Sequence, residues 1–249
     1  MLSGPLLVVC VTVAHGKAPL KFAFVLLVLG VLLGYQAVTL GGFAWLLFWP
    51  ACSSLAVSVA YLQGHPALYG KRADGSRNPL SRLLLLPYLV VVWIVWNTYR
   101  WASHESPADE LLPGLWLGRR LLRGEVAPEI TLIVDLTCEL SEPRANLVGR
   151  EYLAFPILDA SVPTVAKAIR CVDEILRHSG VTLIHCAQGH GRTGTVAAII
   201  LLRTGVAQTP EAAISRLRAV RPKLKLSRRQ MAFVRKVAEE LKRLPGDRN

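Results

Sequence analysis

Cysteine is scarce in this chain. The 249 residues hold five, at no paired spacing, which excludes a disulfide framework and supplies no zinc-ligand pattern. No stretch interleaves basic and aromatic residues as a nucleic-acid-binding motif does, so nucleic acid is not an expected partner. Acidic residues are nearly missing from the front of the chain, where Asp74 stands alone up to residue 101. No basic region precedes the apolar residues 2–14, and Ala14-His15-Gly16 is a poor cleavage site, so a cleaved signal peptide is not expected. That segment is about half a bilayer long at ~1.5 Å per residue, which leaves a short extra span or an interfacial segment open.

What is present divides in two. Up to about residue 101 the chain is dominated by Leu, Val, Ala, Phe and Trp, and from 102 onward it reads as an ordinary globular domain. The mean hydropathy of +0.39 averages the two parts. The net charge of +12 falls evenly on both; beside apolar spans, basic excess points to lipid headgroups and topology. We expect a transmembrane helical region over 1–101 with about three spans (22–40, 43–62 and 83–99), a linker over 102–113 and a globular domain over 114–249.

A collar from Lys17 to Lys21 precedes the first span, and Gly41-Gly42 turns the chain into the second, near whose start stand Trp45 and Trp49. The loop from Gln63 to Arg82 carries Lys71, Arg72, Arg77 and Arg82 and points to the cytoplasm. The third span contains Pro87 and ends on Trp93, Trp96, Tyr99 and Trp101, an aromatic belt. A conflict follows, because three full spans from that starting side put residues 102–249 outside. A cysteine working as a thiolate favours the reducing cytosolic face. A fourth span from residues 2–14, or re-entry at Pro87, restores that placement.

In the globular part, residues 131–136 form a continuous apolar run read as a buried strand, and Tyr152 to Ile157 is a further strand. Pro163 opens a helix with Val165, Ala168, Ile169, Val172, Ile175 and Leu176 on one face, ending near Gly180. Val181 to Ile184 is a strand and Thr193 to Leu202 a helix. Thr209-Pro210 caps another helix through Val220, and Ser227 opens a last one through Leu244. Strands alternating with helices predict a mainly parallel central sheet flanked by helices, with its site at the carboxyl edge of the strands.

At that edge lies Leu183-Ile184-His185-Cys186-Ala187-Gln188-Gly189-His190-Gly191-Arg192-Thr193-Gly194-Thr195. A strand delivers a cysteine into a glycine-rich loop, and a helix starts near the arginine. The unpaired N–H groups and positive dipole end of that helix suit a tetrahedral oxyanion and favour a thiolate. The cysteine-to-arginine spacing alone is uninformative, since Cys138 to Arg144 and Cys171 to Arg177 repeat it. Only Cys186 has the strand before, glycines at 189, 191 and 194, and an apolar helix after.

The pattern His185-Cys186-x-x-Gly189-x-x-Arg192-Thr193-Gly194 resembles the phosphate loop of the cysteine-dependent protein tyrosine phosphatase superfamily, nearest its dual-specificity branch, over roughly residues 113–243. Leu115-Trp116-Leu117-Gly118 resembles the opening strand of that branch. The resemblance implies an N-terminal transmembrane region joined to an α/β dual-specificity-phosphatase-like domain, a hydrolase of phosphate monoesters that uses neither metal nor cofactor. Cys186 is then the nucleophile, and Arg192 holds two phosphate oxygens.

Asp159, on the loop before the Pro163 helix, matches the general acid; Asp135, inside an apolar strand, reads as structural. The backbone of Ala187, Gln188, Gly189, His190, Gly191 and Arg192 faces the anion, with Gly189, Gly191 and Gly194 free to take positive φ. His185 orients the loop by hydrogen bonds, Thr193 hydrogen-bonds the thiolate, and Gln230 carries little weight. Phosphoinositide-acting members often carry lysines in the loop, where this chain has Ala187, Gln188 and His190, so a monophosphate ester fits better. Expected partners are the membrane and a phospholipid or phosphoprotein substrate. An inactive phosphate-binding scaffold is disfavoured because cysteine, arginine and acid are all present, and sulfur transfer needs no Asp159.

Overall fold

The structure is a computed structural model and describes residues 19–243; the apolar segment 2–14 lies outside them. Three helices of membrane-crossing length and apolarity open it: α1 (Leu20–Leu40), a stretch from Gly42 to Gln63 that begins as a 3-10 turn and continues as α2 (Phe48–Gln63), and α3 (Pro79–Ala102). α3 starts four residues before its apolar run. Asn78 caps it by accepting from Leu80 N, and Pro79 takes the first position, where its missing N–H is not needed.

α1 and α2 pack as an antiparallel hairpin on small residues. Ala23, Gly30 and Ala37 of α1 are buried, and a Cβ on Gly30 would stand 2.7 Å from Leu55 and 3.1 Å from the Ala51 carbonyl. Close backbone approach through small residues is how helices associate when lipid removes the hydrophobic drive. Ser58 Oγ donates to Ala23 O at 2.7 Å across this contact.

Pro87 sits inside α3 and cannot donate to the Leu83 carbonyl one turn back. The Trp49 indole N–H of α2 donates to that carbonyl at 3.0 Å. Ser53 Oγ of α2 accepts from Tyr88 N at 3.4 Å, just past the proline. The break in one helix is thus repaired by side chains of its neighbour.

The globular part is a five-stranded sheet in the order β1-β2-β5-β3-β4, made of β1 (Ala108–Leu112), β2 (Leu115–Arg119), β3 (Ile130–Thr137), β4 (Glu151–Ile157) and β5 (Val181–Cys186). All pairings are parallel except β1 with β2. β1 lies inside the stretch expected as a linker; with Asp109 and Glu110 it lacks a strand-like composition, and edge pairing to β2 makes it a strand. β4 is the other edge, which accommodates Pro156.

The helices α5 (Val165–Arg177), α6 (Gly191–Arg203), α7 (Pro210–Val220) and α8 (Arg228–Arg243) cover one face of the sheet. Leu132, Val134 and Leu136 point into them, while Ile133 points the other way, against Leu121 and Leu183, as a strand's period of two requires. α6 buries every residue from Arg192 to Leu201 behind the central strand.

The second face is closed partly by a one-turn helix α4 (Arg144–Leu147) and partly by the membrane region. Between α2 and α3, Lys71 and Arg77 pair as a small antiparallel bridge that docks on the domain. Lys71 Nζ pairs with the Asp135 carboxylate and donates to Thr137 O and Leu140 O, both at 2.8 Å. The side chains of Lys71 and Asp135 are 1% and 0% exposed. Arg77 donates to Cys138 O at 3.2 Å, and a Cβ on Gly75 would stand 3.0 Å from the Tyr152 ring.

Asp135 is structural, as expected. Burial pushes its carboxyl up, but the charges of Lys71 and His185 and the hydrogen bonds outweigh it and hold the group well below the usual carboxylate range. A depressed carboxylate contributes stability that is present above its unfolded pKa of about 4 and lost as pH falls through the folded value. Lys71→Met strands that charge in the core. It is expected to lower unfolding free energy by about 3–5 kcal/mol at neutral pH, with the deficit shrinking on acidification below about pH 4. Thermal melts of the detergent-solubilised chain across pH measure this, and a loss under about 1 kcal/mol contradicts it.

Candidate active site

β5 lies between β2 and β3, so Cys186 at its end emerges in the middle of the sheet's carboxyl edge. The loop 187–190 then turns directly into α6, whose first turn offers its free N–H groups to the space above the thiol. Cys186 is buried, and its Sγ accepts the Gly189 N–H at 3.3 Å. The loop's outward side is held by others: Ala187 O accepts the Trp96 indole N–H at 2.9 Å and the Arg120 N–H at 3.4 Å.

Of the three glycines expected to use positive φ, only Gly189 does, at +76°. A Cβ there would stand 2.6 Å from the Gly118 backbone of β2. At Gly191 and Gly194 the constraint is space against side-chain ends, not backbone conformation. A Cβ on Gly191 would meet the Gln230 amide at 2.8 Å, and one on Gly194 would meet Leu226 at 2.9 Å. Gln230 has a defined place: its Oε1 accepts from Ser227 N while its own N–H reaches Ser227 Oγ, a capping box at the start of α8.

Arg192 is buried and reaches under the loop. Its two terminal nitrogens donate to Glu139 at 2.9 and 2.5 Å, and Nη1 also donates to Ile157 O at 3.0 Å. Asp159 Oδ1 stands 3.4 Å from Nη2, with a side chain 65% exposed. Nε–H is the guanidinium donor that has no partner among the described residues. The fork expected on phosphate is thus engaged by Glu139 and Asp159, and Nε–H lies buried beside them.

Burial pushes the Glu139 carboxyl up, but Arg192 outweighs it and holds it below the ordinary glutamate value. Glu139 was not picked out from the sequence. Its position just past β3, at the carboxyl edge where sites collect, is the signal that marks it.

The supporting residues differ from expectation. His185 is buried with neither ring nitrogen hydrogen-bonded among the described residues, and Nε2 lies 3.6 Å from Glu142. It packs beneath the loop, because the parallel register points it to the second face beside Asp135. The Thr193 hydroxyl is buried without a partner among the described residues and makes no hydrogen bond to the thiol. His190 turns outward: Nε2 lies 3.0 Å from Glu105, and Tyr99 meets its ring edge-on.

The cysteines that share the spacing are set apart. Cys171 sits buried within α5. Burial and then the Glu139 charge push the Cys138 thiol well up, and Cys138 Sγ donates to Glu139 at 3.3 Å.

The membrane helices complete the site. Trp96 was expected in an aromatic belt, yet it is buried against the cysteine loop with Arg120 stacked over its ring at 5.1 Å, while Trp93 and Trp101 are exposed. A cavity of about 320 Å³ lies between α1, α3 and the loop, with Cys186, Arg192, Glu139 and Asp159 among its lining.

The family model described as the Swiss Army Knife protein DSP-PTPase phosphatase domain matches residues 122–240. Among solved structures, a single-residue variant of human DUSP28 is 21% identical with a TM-score of 0.50, covering 57% of this chain and 100% of its own. A mouse putative dual specificity phosphatase complexed with zinc tungstate is 21% identical at a TM-score of 0.49, covering 57% and 92%. PTPMT1, solved in complex with PI(5)P, is 18% identical at 0.49, covering 55% and 98%. No curated protein matches the chain. The DUSP28 variant, at a TM-score of 0.50, speaks for the fold of the globular part, a mixed, mainly parallel sheet flanked by helices. Residues 122–240 thus match the model of a DSP-PTPase phosphatase domain, and three membrane-length apolar helices precede them.

Two glycine variants separate loop geometry from general strain. Gly189→Ala must adopt positive φ and also collide with the backbone of β2, whereas Gly205, at φ +71°, has open space around a new Cβ. Gly205→Ala is expected to lower stability by about 1 kcal/mol and leave vanadate affinity intact. Gly189→Ala is expected to weaken vanadate binding at least tenfold by calorimetry, and equal affinities in the two variants contradict this account of the loop.

Proposed function

We propose that the chain is a membrane-anchored phosphatase that hydrolyses phosphate monoesters through a cysteinyl-phosphate on Cys186, acting on a lipid-borne substrate in preference to a phosphoprotein. The observation that carries this reading is the meeting of Cys186, Arg192 and Asp159 in one cavity, at the N-terminus of α6.

The Cys186 thiolate attacks phosphorus from the floor of the loop. The S–P bond forms as the ester P–O bond breaks, and Asp159 gives its proton to the departing oxygen. The exposed carboxyl of Asp159 fits a group that must meet both a substrate oxygen and water. In the second step a water attacks phosphorus and passes a proton to Asp159, and the thiolate departs with the S–P electron pair, leaving free phosphate. Loop N–H groups and Arg192 Nε–H bind the non-bridging oxygens, where charge accumulates in the transition state. Glu139 fixes the guanidinium plane.

The catalytic domain is read as cytosolic. The basic segment around Lys71 and Arg77 is docked on the domain itself, so the two share a side of the membrane, and the positive-inside rule assigns that side to the cytoplasm. α3 runs unbroken through Pro87, so in this arrangement it does not re-enter there but lies along the domain with both ends on one side, instead of crossing as a third full span.

Cys186→Ser is expected to abolish turnover while vanadate binding survives. Asp159→Ala should slow alkyl phosphates by 10²–10⁴-fold and p-nitrophenyl phosphate much less, since nitrophenolate departs without a proton. Steady-state rates across leaving groups read this directly; full activity in Cys186→Ser, or equal losses across leaving groups in Asp159→Ala, refutes the assigned roles. For topology, cysteines placed singly at Ser76 and Asn249 in a background without Cys52 should react with an impermeant maleimide from the same side of sealed vesicles. Labelling from opposite sides rules the arrangement out.

A further inference from the structure

The cavity above Cys186 has an apolar half that the phosphatase chemistry does not use. Its floor holds Cys186, Gln188 and Arg192, while its walls are Phe22 and Leu26 of α1, Tyr61 of α2, and Tyr88 and Val92 of α3. Its rim is apolar as well. Val25 of α1 and Val91 and Val95 of α3 line the cavity and are 62%, 57% and 57% exposed on the outer faces of those helices. The opening therefore lies between α1 and α3, on the surface that faces hydrocarbon, and not only toward water.

We infer that this cavity seats the hydrocarbon of the substrate, which enters sideways from the bilayer between α1 and α3. The substrate is a lipid monophosphate whose hydrocarbon begins within a few bonds of the phosphoester. The inference rests on the phosphatase reading above and names its substrate class.

Charge and dimensions both support it. The basic side chains lining the cavity are Arg192 and His190, the first paired with Glu139 and the second beside Glu105. Glu139, the ionised carboxylate in the cavity's lining, repels a second phosphate. A bulky polyol between phosphate and tail would place its hydroxyls against Tyr88, Val92 and Leu26, with few partners. At about 320 Å³ the space is at the small end for a ligand site, so it takes the first part of a chain while the remainder lies along the exposed faces of α1 and α3. Trp96 joins the two halves, since it lines the apolar side and donates to Ala187 O in the loop.

The test uses the full chain in mixed detergent micelles. Cys186-dependent rates are measured on a diacylglycerol monophosphate, a phosphatidylinositol monophosphate, a phosphotyrosyl peptide and p-nitrophenyl phosphate. The diacylglycerol monophosphate should show the highest kcat/KM at equal surface concentration. Leu26→Trp and Val92→Trp, which fill the cavity, should each lower its kcat/KM at least tenfold relative to that for p-nitrophenyl phosphate on the same preparation. Ile94→Trp, an equal enlargement at an exposed α3 position outside the cavity, should leave the ratio within twofold.

A ratio untouched by the cavity-filling variants, or a preference for the peptide or the inositol lipid, overturns the inference and leaves the phosphatase reading standing. Failure to hydrolyse even p-nitrophenyl phosphate in a Cys186-dependent way removes that reading, and the inference with it.

Discussion

The buried ammonium of Lys71 is the constraint on which the rest depends. The second face of the sheet gathers Asp135, Glu142 and His185, whose ligand atoms lie within 4.8 Å of one another, with the Tyr152 hydroxyl donating to Asp135 at 2.9 Å. Burial and then the Asp135 charge push the Glu142 carboxyl up, a sign that this interior is over-supplied with acid. Such a trio has the composition of a cation site, and the cation that reaches it is a side chain from the membrane region. Lys71 Nζ meets the Asp135 carboxylate, two carbonyls and the Thr137 hydroxyl, satisfying its protons as a buried ammonium requires. His185, the residue before Cys186, stands on this cluster. The membrane segment is therefore part of the folded core beneath the cysteine loop, not a detachable anchor.

Once Lys71 and Arg77 are fixed to the domain, the course of α3 follows. It leaves from the segment docked beside Cys138 and by Trp96 has reached Ala187, so the helix passes over the carboxyl edge of the sheet. At ~1.5 Å per residue its 24 residues extend about 36 Å, enough to cross that edge and deliver Tyr99 and Glu105 to His190. A straight apolar helix has no reason to lie along a domain face; the break at Pro87, repaired by Trp49 and Ser53, belongs to a helix held between the α1–α2 hairpin and the domain. The apolar residues on its outer side remain for lipid.

What the sequence made legible was everything local. The apolar strand, glycine loop and buried helix around Cys186 are consecutive, and hydrophobic periodicity marks α5 and the strands β3, β4 and β5. Long-range partners were not legible. Glu139 lies 53 residues from Arg192, Lys71 64 residues from Asp135, and Trp96 91 residues from Ala187. Nothing in composition tells a lysine that will be buried from one that faces headgroups, or a tryptophan facing lipid from one facing the cysteine loop. The expected belt and basic loop were therefore each half surface and half core. β1 was missed because its pairing with β2, not its own residues, makes it a strand. Glycine in the loop signalled need without kind, since Gly189 serves conformation and Gly191 and Gly194 serve space.

The charges around Arg192 bear on how a substrate gains affinity. With its terminal nitrogens on Glu139 and Asp159 nearby, the guanidinium enters the site close to electrically balanced, and in the proposed reaction phosphate is held by backbone N–H groups, the α6 dipole and Nε–H. A charge-assisted hydrogen bond contributes about 1.5–3 kcal/mol net. Burying a methylene contributes about 0.8 kcal/mol, so about two to four methylenes in the apolar half of the cavity match one such bond. In the proposed reaction, charge accumulates on the non-bridging oxygens in the transition state while a tail's contacts stay constant. A tail then supplies uniform binding, and the loop supplies the part that accelerates chemistry. On that reading an apolar cavity above a nearly neutralised arginine favours substrates that bring both parts, and a soluble phosphate ester brings only one.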